Sequence, residues 1–147
     1  MKRFTFGILI LILTLTASSA FGKTIDTKYF TLNVPKGWHG EKLNNTSVQV
    51  TRDDETASVL IKVGKIGKKT IDEIAKSTAK KYSAEELEQD EDGAYSFTFE
   101  EDGKTKIGML DLINDEVCML LIQYVENEEA LDSLDDVLEG FEMKEEE

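Results

Sequence analysis

Between residues 29 and 34 apolar and polar side chains alternate without a break, Phe30, Leu32 and Val34 against Tyr29, Thr31 and Asn33. Successive side chains of an extended strand point to opposite faces, so this period of two predicts a strand with one buried face. The pattern recurs at 47–52 through Val48 and Val50, and at 57–63. It returns at 94–100, with Tyr95, Phe97 and Phe99 on one face, and at 105–113, with Ile107, Met109 and Leu110. Between these runs lie turn formers. Pro35-Lys36-Gly37-Trp38 stops the first strand, a polar loop runs through Asn44 and Asn45, and Asp53-Asp54-Glu55-Thr56 reverses the chain. Asp102-Gly103 carries the strongest short hairpin signal, and Asn114-Asp115-Glu116 makes the next turn. The first three runs read as consecutive antiparallel strands. Residues 117–125 are almost continuously apolar, as a central strand covered on both faces would be.

Two segments change period. Thr70-Ile71-Asp72-Glu73 is a Thr-x-x-Glu capping box, and behind it Ile71, Ile74, Ala75, Thr78, Ala79 and Tyr82 recur at helical spacing. A last helix is expected to start near Asn127 as N-cap and to bury Leu131, Leu134, Val137 and Leu138. It stops at Gly140, with Phe141 packing back as in a Schellman ending. Together these elements predict an α+β fold, an antiparallel β-sheet of about six strands flanked by two or more helices.

The start of the chain reads as an address. Lys2 and Arg3 precede an apolar run over residues 4–16, followed by the small residues Ala17-Ser18-Ser19-Ala20, the pattern of a secretory signal peptide. The run is shorter than the ~20 apolar residues that cross a bilayer. Residues 1–22 are therefore expected to be removed, with cleavage after Ala20 as the alternative. Residues 23–147 then form one domain, secreted or periplasmic, soluble and without a transmembrane segment. Loss of the leader takes two basic residues and no acid, so the formal charge moves from -13 to -15. Such a balance argues against nucleic acid or an anionic membrane as partner. Export permits disulfides, but Cys118 is the one cysteine in 147 residues, so a bridge would have to join two chains. Its apolar neighbours predict a small buried residue instead.

Catalytic chemistry finds few residues to stand on. A Ser/His/Asp or Cys/His system would need His39, the single histidine, which the Gly37-Trp38-His39-Gly40 context places in a solvent-facing loop. One His and one Cys far apart do not make a zinc site. Glu88-x-Asp90-x-Asp92-Gly93 imitates the start of an EF-hand loop, but position one is Glu and position twelve is Phe99. Weak cation binding at Asp53, Asp54 and Glu55 competes with their ordinary role in a turn. Gly64-Lys65-Ile66-Gly67-Lys68-Lys69-Thr70 fails the spacing of a phosphate-binding loop. The acids are too many for a glycosidase pair to be singled out. No catalytic residue, metal ligand or cofactor is assigned, and the binding residues stay open.

One departure from the overall charge remains. Lys62, Lys65, Lys68, Lys69, Lys76, Lys80 and Lys81 share residues 62–81 with only two acids, while 85–103 holds nine acids and no base. The plain reading is a solvated loop and helix, with acids in the first turn and lysines in the last to match the helix dipole. The functional readings are a docking patch for an acidic partner, or an anion held at the helix start.

Three stretches carry a resemblance: Phe30-x-Leu32-x-Val34-Pro35-x-Gly37-Trp38, then Asp92-Gly93-x-Tyr95-x-Phe97, then Leu138-x-x-Phe141 at the close of the last helix. From residue 28 to residue 143 the chain resembles the Mog1/PsbP-like superfamily, including bacterial DcrB-type envelope proteins. The resemblance implies an antiparallel sheet flanked by helices and an adaptor's role, with no shared catalytic set to transfer. The expected function is thus an exported, non-catalytic binding or adaptor domain with a protein partner in the cell envelope. The alternative is a small-ligand or cation-binding module using a cleft between sheet and helix, and a carboxylate-dependent hydrolase comes third.

Overall fold

The computed structural model describes residues 21–144. Of the expected leader, residues 1–20 lie outside the described residues, as does the acidic end at 145–147. Phe21 and Gly22 belong to the first strand. Ten strands and two helices run in the order β1 (Phe21–Asp26), β2 (Phe30–Pro35), β3 (Trp38–Asn44), β4 (Ser47–Arg52), β5 (Ala57–Lys65), α1 (Ile71–Lys81), β6 (Leu87–Gln89), β7 (Tyr95–Glu101), β8 (Lys104–Leu112), β9 (Val117–Val125), α2 (Glu128–Glu139) and β10 (Phe141–Met143). They form an antiparallel seven-stranded sheet, β3-β4-β5-β9-β8-β7-β6, and a three-stranded sheet, β1-β2-β10.

This corrects the expected α+β fold of about six strands flanked by helices, since the molecule is mostly β and one sheet is covered largely by another. Four strands are missing from the sequence reading, and the first, β1, begins within the residues read as leader. β3, taken for a polar loop, is an edge strand whose residues are mostly exposed, so nothing forces its side chains to alternate. β6 and β10 are three residues each, too short to show a period. β2 does not continue into β4 as one of three consecutive paired strands. It crosses to the small sheet, where Leu32 pairs with Ile25 on one side and with Phe141 on the other. The alternation of residues 29–34 showed that one face is buried, and was silent on which sheet would bury it.

Between the two sheets lies one core: Phe30, Leu32 and Val34 of β2 meet Val48, Val50, Val59, Ile61 and Val63, with Ala130, Leu134 and Val137 of α2 closing the end. On the other face of the large sheet α1 buries Ala75 and Ala79 against Tyr95, Phe97, Phe99, Leu110, Leu120 and Ile122. β9 is fourth of seven strands, central as its composition implied. α1 starts where the capping box lies: Glu73 N–H donates to Thr70 Oγ1 at 3.1 Å, and Thr70 N–H donates to Glu73 Oε1 at 2.9 Å. Tyr95 ties the same turn to the sheet, its hydroxyl donating to Asp72 Oδ1 at 2.9 Å.

Leu131 of α2, expected to be buried, stands 51% exposed. Leu110 is 2% exposed while Ile107 and Met109 stand 46% and 41% exposed, because register places Gly108 and Leu110 toward α1 and turns their neighbours outward. Gly140 does not end α2 in a Schellman motif, having φ of -85°. Its missing Cβ serves another end. The backbone of Asn33 passes where that carbon would lie, and Asn33 N–H donates to Gly140 O at 2.9 Å, which lets β10 join β2 at once.

Candidate functional site

Alternate residues of a strand share a face, so Leu60, Lys62 and Gly64 of β5 lie on the same side of the sheet as α1. Cys118 and Leu120 of β9, paired with Gly64 and Lys62, continue that side. The helix packs over β6 and β8, and along one flank a gap remains between it and the β5–β9 side of the sheet. A cleft of about 370 Å³ results. Leu110, Cys118 and Leu120 make its floor, and Ile74 and Thr78 its helical wall. The loop from β5 to α1 closes one end. It turns at Gly67, whose φ of 65° suits glycine, and is pinned where Ile66 N–H donates to Glu116 O at 2.9 Å. Tyr82 closes the other end.

Four lysines rim this cleft: Lys62 from β5, Lys65 where the strand ends, Lys69 from the loop, and Lys81 from the last helical turn. No acid lines it. Four cationic side chains elsewhere find carboxylates, Lys76 with Asp72 at 3.1 Å, Lys106 with Glu101 at 2.8 Å, Lys144 with Asp26 at 2.8 Å, and Arg52 beside Asp54 and Glu129, while seven others, Lys68 and Lys80 among them, do not. Among the described residues none of the four rim lysines makes an ion pair within 4.0 Å. In a chain with 30 acids and 17 bases, that convergence runs against the composition. Charges of one sign around a low-dielectric concavity focus their field on its interior and raise the local concentration of counter-ions.

The floor is apolar and chemically quiet. Burial pushes the Cys118 thiol up, and nearby Lys62 pulls weakly the other way, so the sulfur stays protonated at neutral pH and is no activated nucleophile. Tyr82 is likewise raised, by burial first and by Glu101 second, and its phenol remains neutral. Lys81 Nζ lies 5.8 Å from the centre of the Tyr82 ring, a cation–π distance.

Of the seven lysines singled out by sequence, Lys62, Lys65, Lys69 and Lys81 come together, whereas Lys68, Lys76 and Lys80 do not line the cleft. The helix start is no anion site, because the capping box takes the amides of Thr70 and Glu73, and Asp72 and Glu73 place carboxylates in the first turn. His39 is on β3 and not in a loop, exposed as expected, with Nδ1 2.9 Å from Asp53 Oδ1. Three strand spacings separate it from the strand of Cys118, on the order of 14 Å, so the two do not meet. Asp90 Oδ1 accepts N–H groups from Asp92 and Ala94 and closes the β6–β7 turn. Asp54 accepts both the amide and the hydroxyl of Thr56.

A second cavity, of about 600 Å³, opens on the far side of Tyr82 along β7, rimmed by Glu85, Glu86, Glu88 and Glu100. Its sign is that of the whole chain, so it singles out nothing. What sequence reasoning missed is the floor. Leu110, Leu120 and Ile74 read as core in any strand or helix, and only the register of β5, β9 and β8 leaves part of them under an opening. Neither a known protein family nor a curated protein matches the chain.

Proposed function

We propose that this protein is an exported, non-catalytic binding domain that takes an anionic group into the lysine-rimmed cleft beside α1. One observation carries the reading: four lysines without carboxylate partners surround an apolar-floored concavity on a strongly acidic chain. The cleft lies between sheet and helix, where a ligand-binding module would hold its ligand. Amide chemical shifts followed during titration with acetate and with inorganic phosphate test it. Changes should concentrate at Gly64, Thr78 and Cys118, weaken as salt rises, and vanish in a chain carrying Lys62→Gln, Lys65→Gln, Lys69→Gln and Lys81→Gln. Changes elsewhere, or untouched by the four substitutions, would overturn the reading.

A second reading keeps the adaptor role that the Mog1/PsbP-like resemblance suggests. Lys68 and Lys80 extend the basic surface beyond the cleft, and neither is ion-paired among the described residues. An acidic envelope protein would lie across that surface. Capture from envelope extract should then yield one partner at low salt that is lost at moderate salt, and capture indifferent to salt excludes it.

A further inference from the structure

Inorganic anions need charge and hydrogen-bond donors, and a site built for them has a polar floor. This floor is the opposite. Beneath the lysine rim lie Leu110, Leu120 and Cys118, the helical wall adds Ile74, and the hydroxyl-bearing side chains of the lining are Thr78 and Tyr82. Leu110 and Leu120 are nearly fully buried and present little surface, so the hydrocarbon that faces the cleft comes mainly from the half-buried Ile66, Ile74, Tyr82 and Cys118. Charge at the mouth and hydrocarbon at the base fit one class of molecule, and each methylene taken from water into such a cleft adds favourable free energy. Lysine side chains suit the mouth of such a site, since the methylene stems lie along apolar surface and the ammonium reaches for the head group. A volume of about 370 Å³ stands toward the lower end of ligand cavities, enough for one chain and not for the two tails of a phospholipid.

Resting on the anion-binding reading above, we infer that the cleft holds a single-chain anionic amphiphile, an acyl or alkyl tail on the floor and a carboxylate or phosphate head among Lys62, Lys65, Lys69 and Lys81. Gly64 gives a way to test the tail separately from the head. It lines the cleft, its φ lies outside the positive range, and a Cβ added there meets nothing within 4 Å. Gly64→Leu therefore fills the cleft without pressing on the core and without changing a charge.

Calorimetric titration of the purified protein would compare decanoate and decyl phosphate with acetate, inorganic phosphate and decanol, the two amphiphiles separating a carboxylate from a phosphate source. Either amphiphile should bind more than about tenfold tighter than its own head group and than decanol. Gly64→Leu should remove that margin, so that in this variant each amphiphile binds no tighter than its own head group, and should leave the melting temperature as it was. Ligand on the floor should also slow alkylation of Cys118, a readout independent of heat. If acetate or phosphate binds as tightly as the amphiphiles, the tail inference falls and the anion-binding reading stands. If decanol binds as tightly, the lysines recognise no head group, and if none of the five binds, both readings fall together.

Discussion

At single positions the structure makes demands that residue type alone does not announce. Gly108 pairs with Phe97 across β7 and β8, and the tip of the Phe97 ring lies where a Cβ on Gly108 would stand. Gly108→Ala should force that ring out of the cluster with Tyr82 and Phe99, costing about 1–3 kcal/mol in chemical denaturation. An unchanged denaturation midpoint would show that the ring yields freely. Asp72 makes a second demand. The Lys76 ammonium first, and the Tyr95 hydroxyl second, hold its carboxyl below the ordinary carboxylate range. The folded chain thus binds that proton less readily than the unfolded one. The resulting stability is complete above the ordinary value of about 3.9 and is lost as pH falls from there through the depressed folded value. Asp72→Asn should therefore flatten the fall in melting temperature in that acidic window, and parallel curves for the two proteins would contradict it.

Among the elements, β8 shows how far a strand's pattern can be read. Its residues were legible as a strand returning from the Asp102-Gly103 turn, where both residues take positive φ, 56° and 78°, as the tight hairpin requires. Which side faces inward was not legible, because Ile107, Met109 and Leu110 offer apolar groups to both. Pairing with β9 decides it: Leu110 meets Leu120 beneath α1, while Met109 meets Leu121 on the opposite face, where β8 lies outside the core between the sheets. Leu110→Ala should cost about 2–5 kcal/mol, whereas Ile107→Thr should stay within about 0.5 kcal/mol of the parent in the same urea titration. Equal losses would mean that the outward face is covered. Helix α1 was the most readable element, since its cap bonds are made by residues three apart and need nothing distant.

Across the whole molecule two cores lie on opposite faces of one sheet, and β5 and β9 contribute to both. Losing either face leaves the same strands half uncovered, so the described residues should unfold in one transition, with equal calorimetric and van't Hoff enthalpies. Two separated transitions would show that the cores are independent. At this scale the asymmetry of charge also acquires a location. Four of the nine acids of 85–103 rim the larger cavity and four of the seven lysines of 62–81 rim the cleft, with Tyr82 lining both. Sequence by itself determined the strand runs of β2, β4, β5, β7 and β9, the capped start of α1, the hairpin turn and the inverted sign of one segment. Each depends on neighbours within a few residues, where backbone geometry and side-chain period act directly. Tertiary structure alone decided that β2 leaves the large sheet for β1 and β10, that β8 turns Ile107 outward, and that four of seven lysines meet over an apolar floor. Those outcomes depend on which strands pair and in what register, contacts between residues far apart in the chain that no local pattern records.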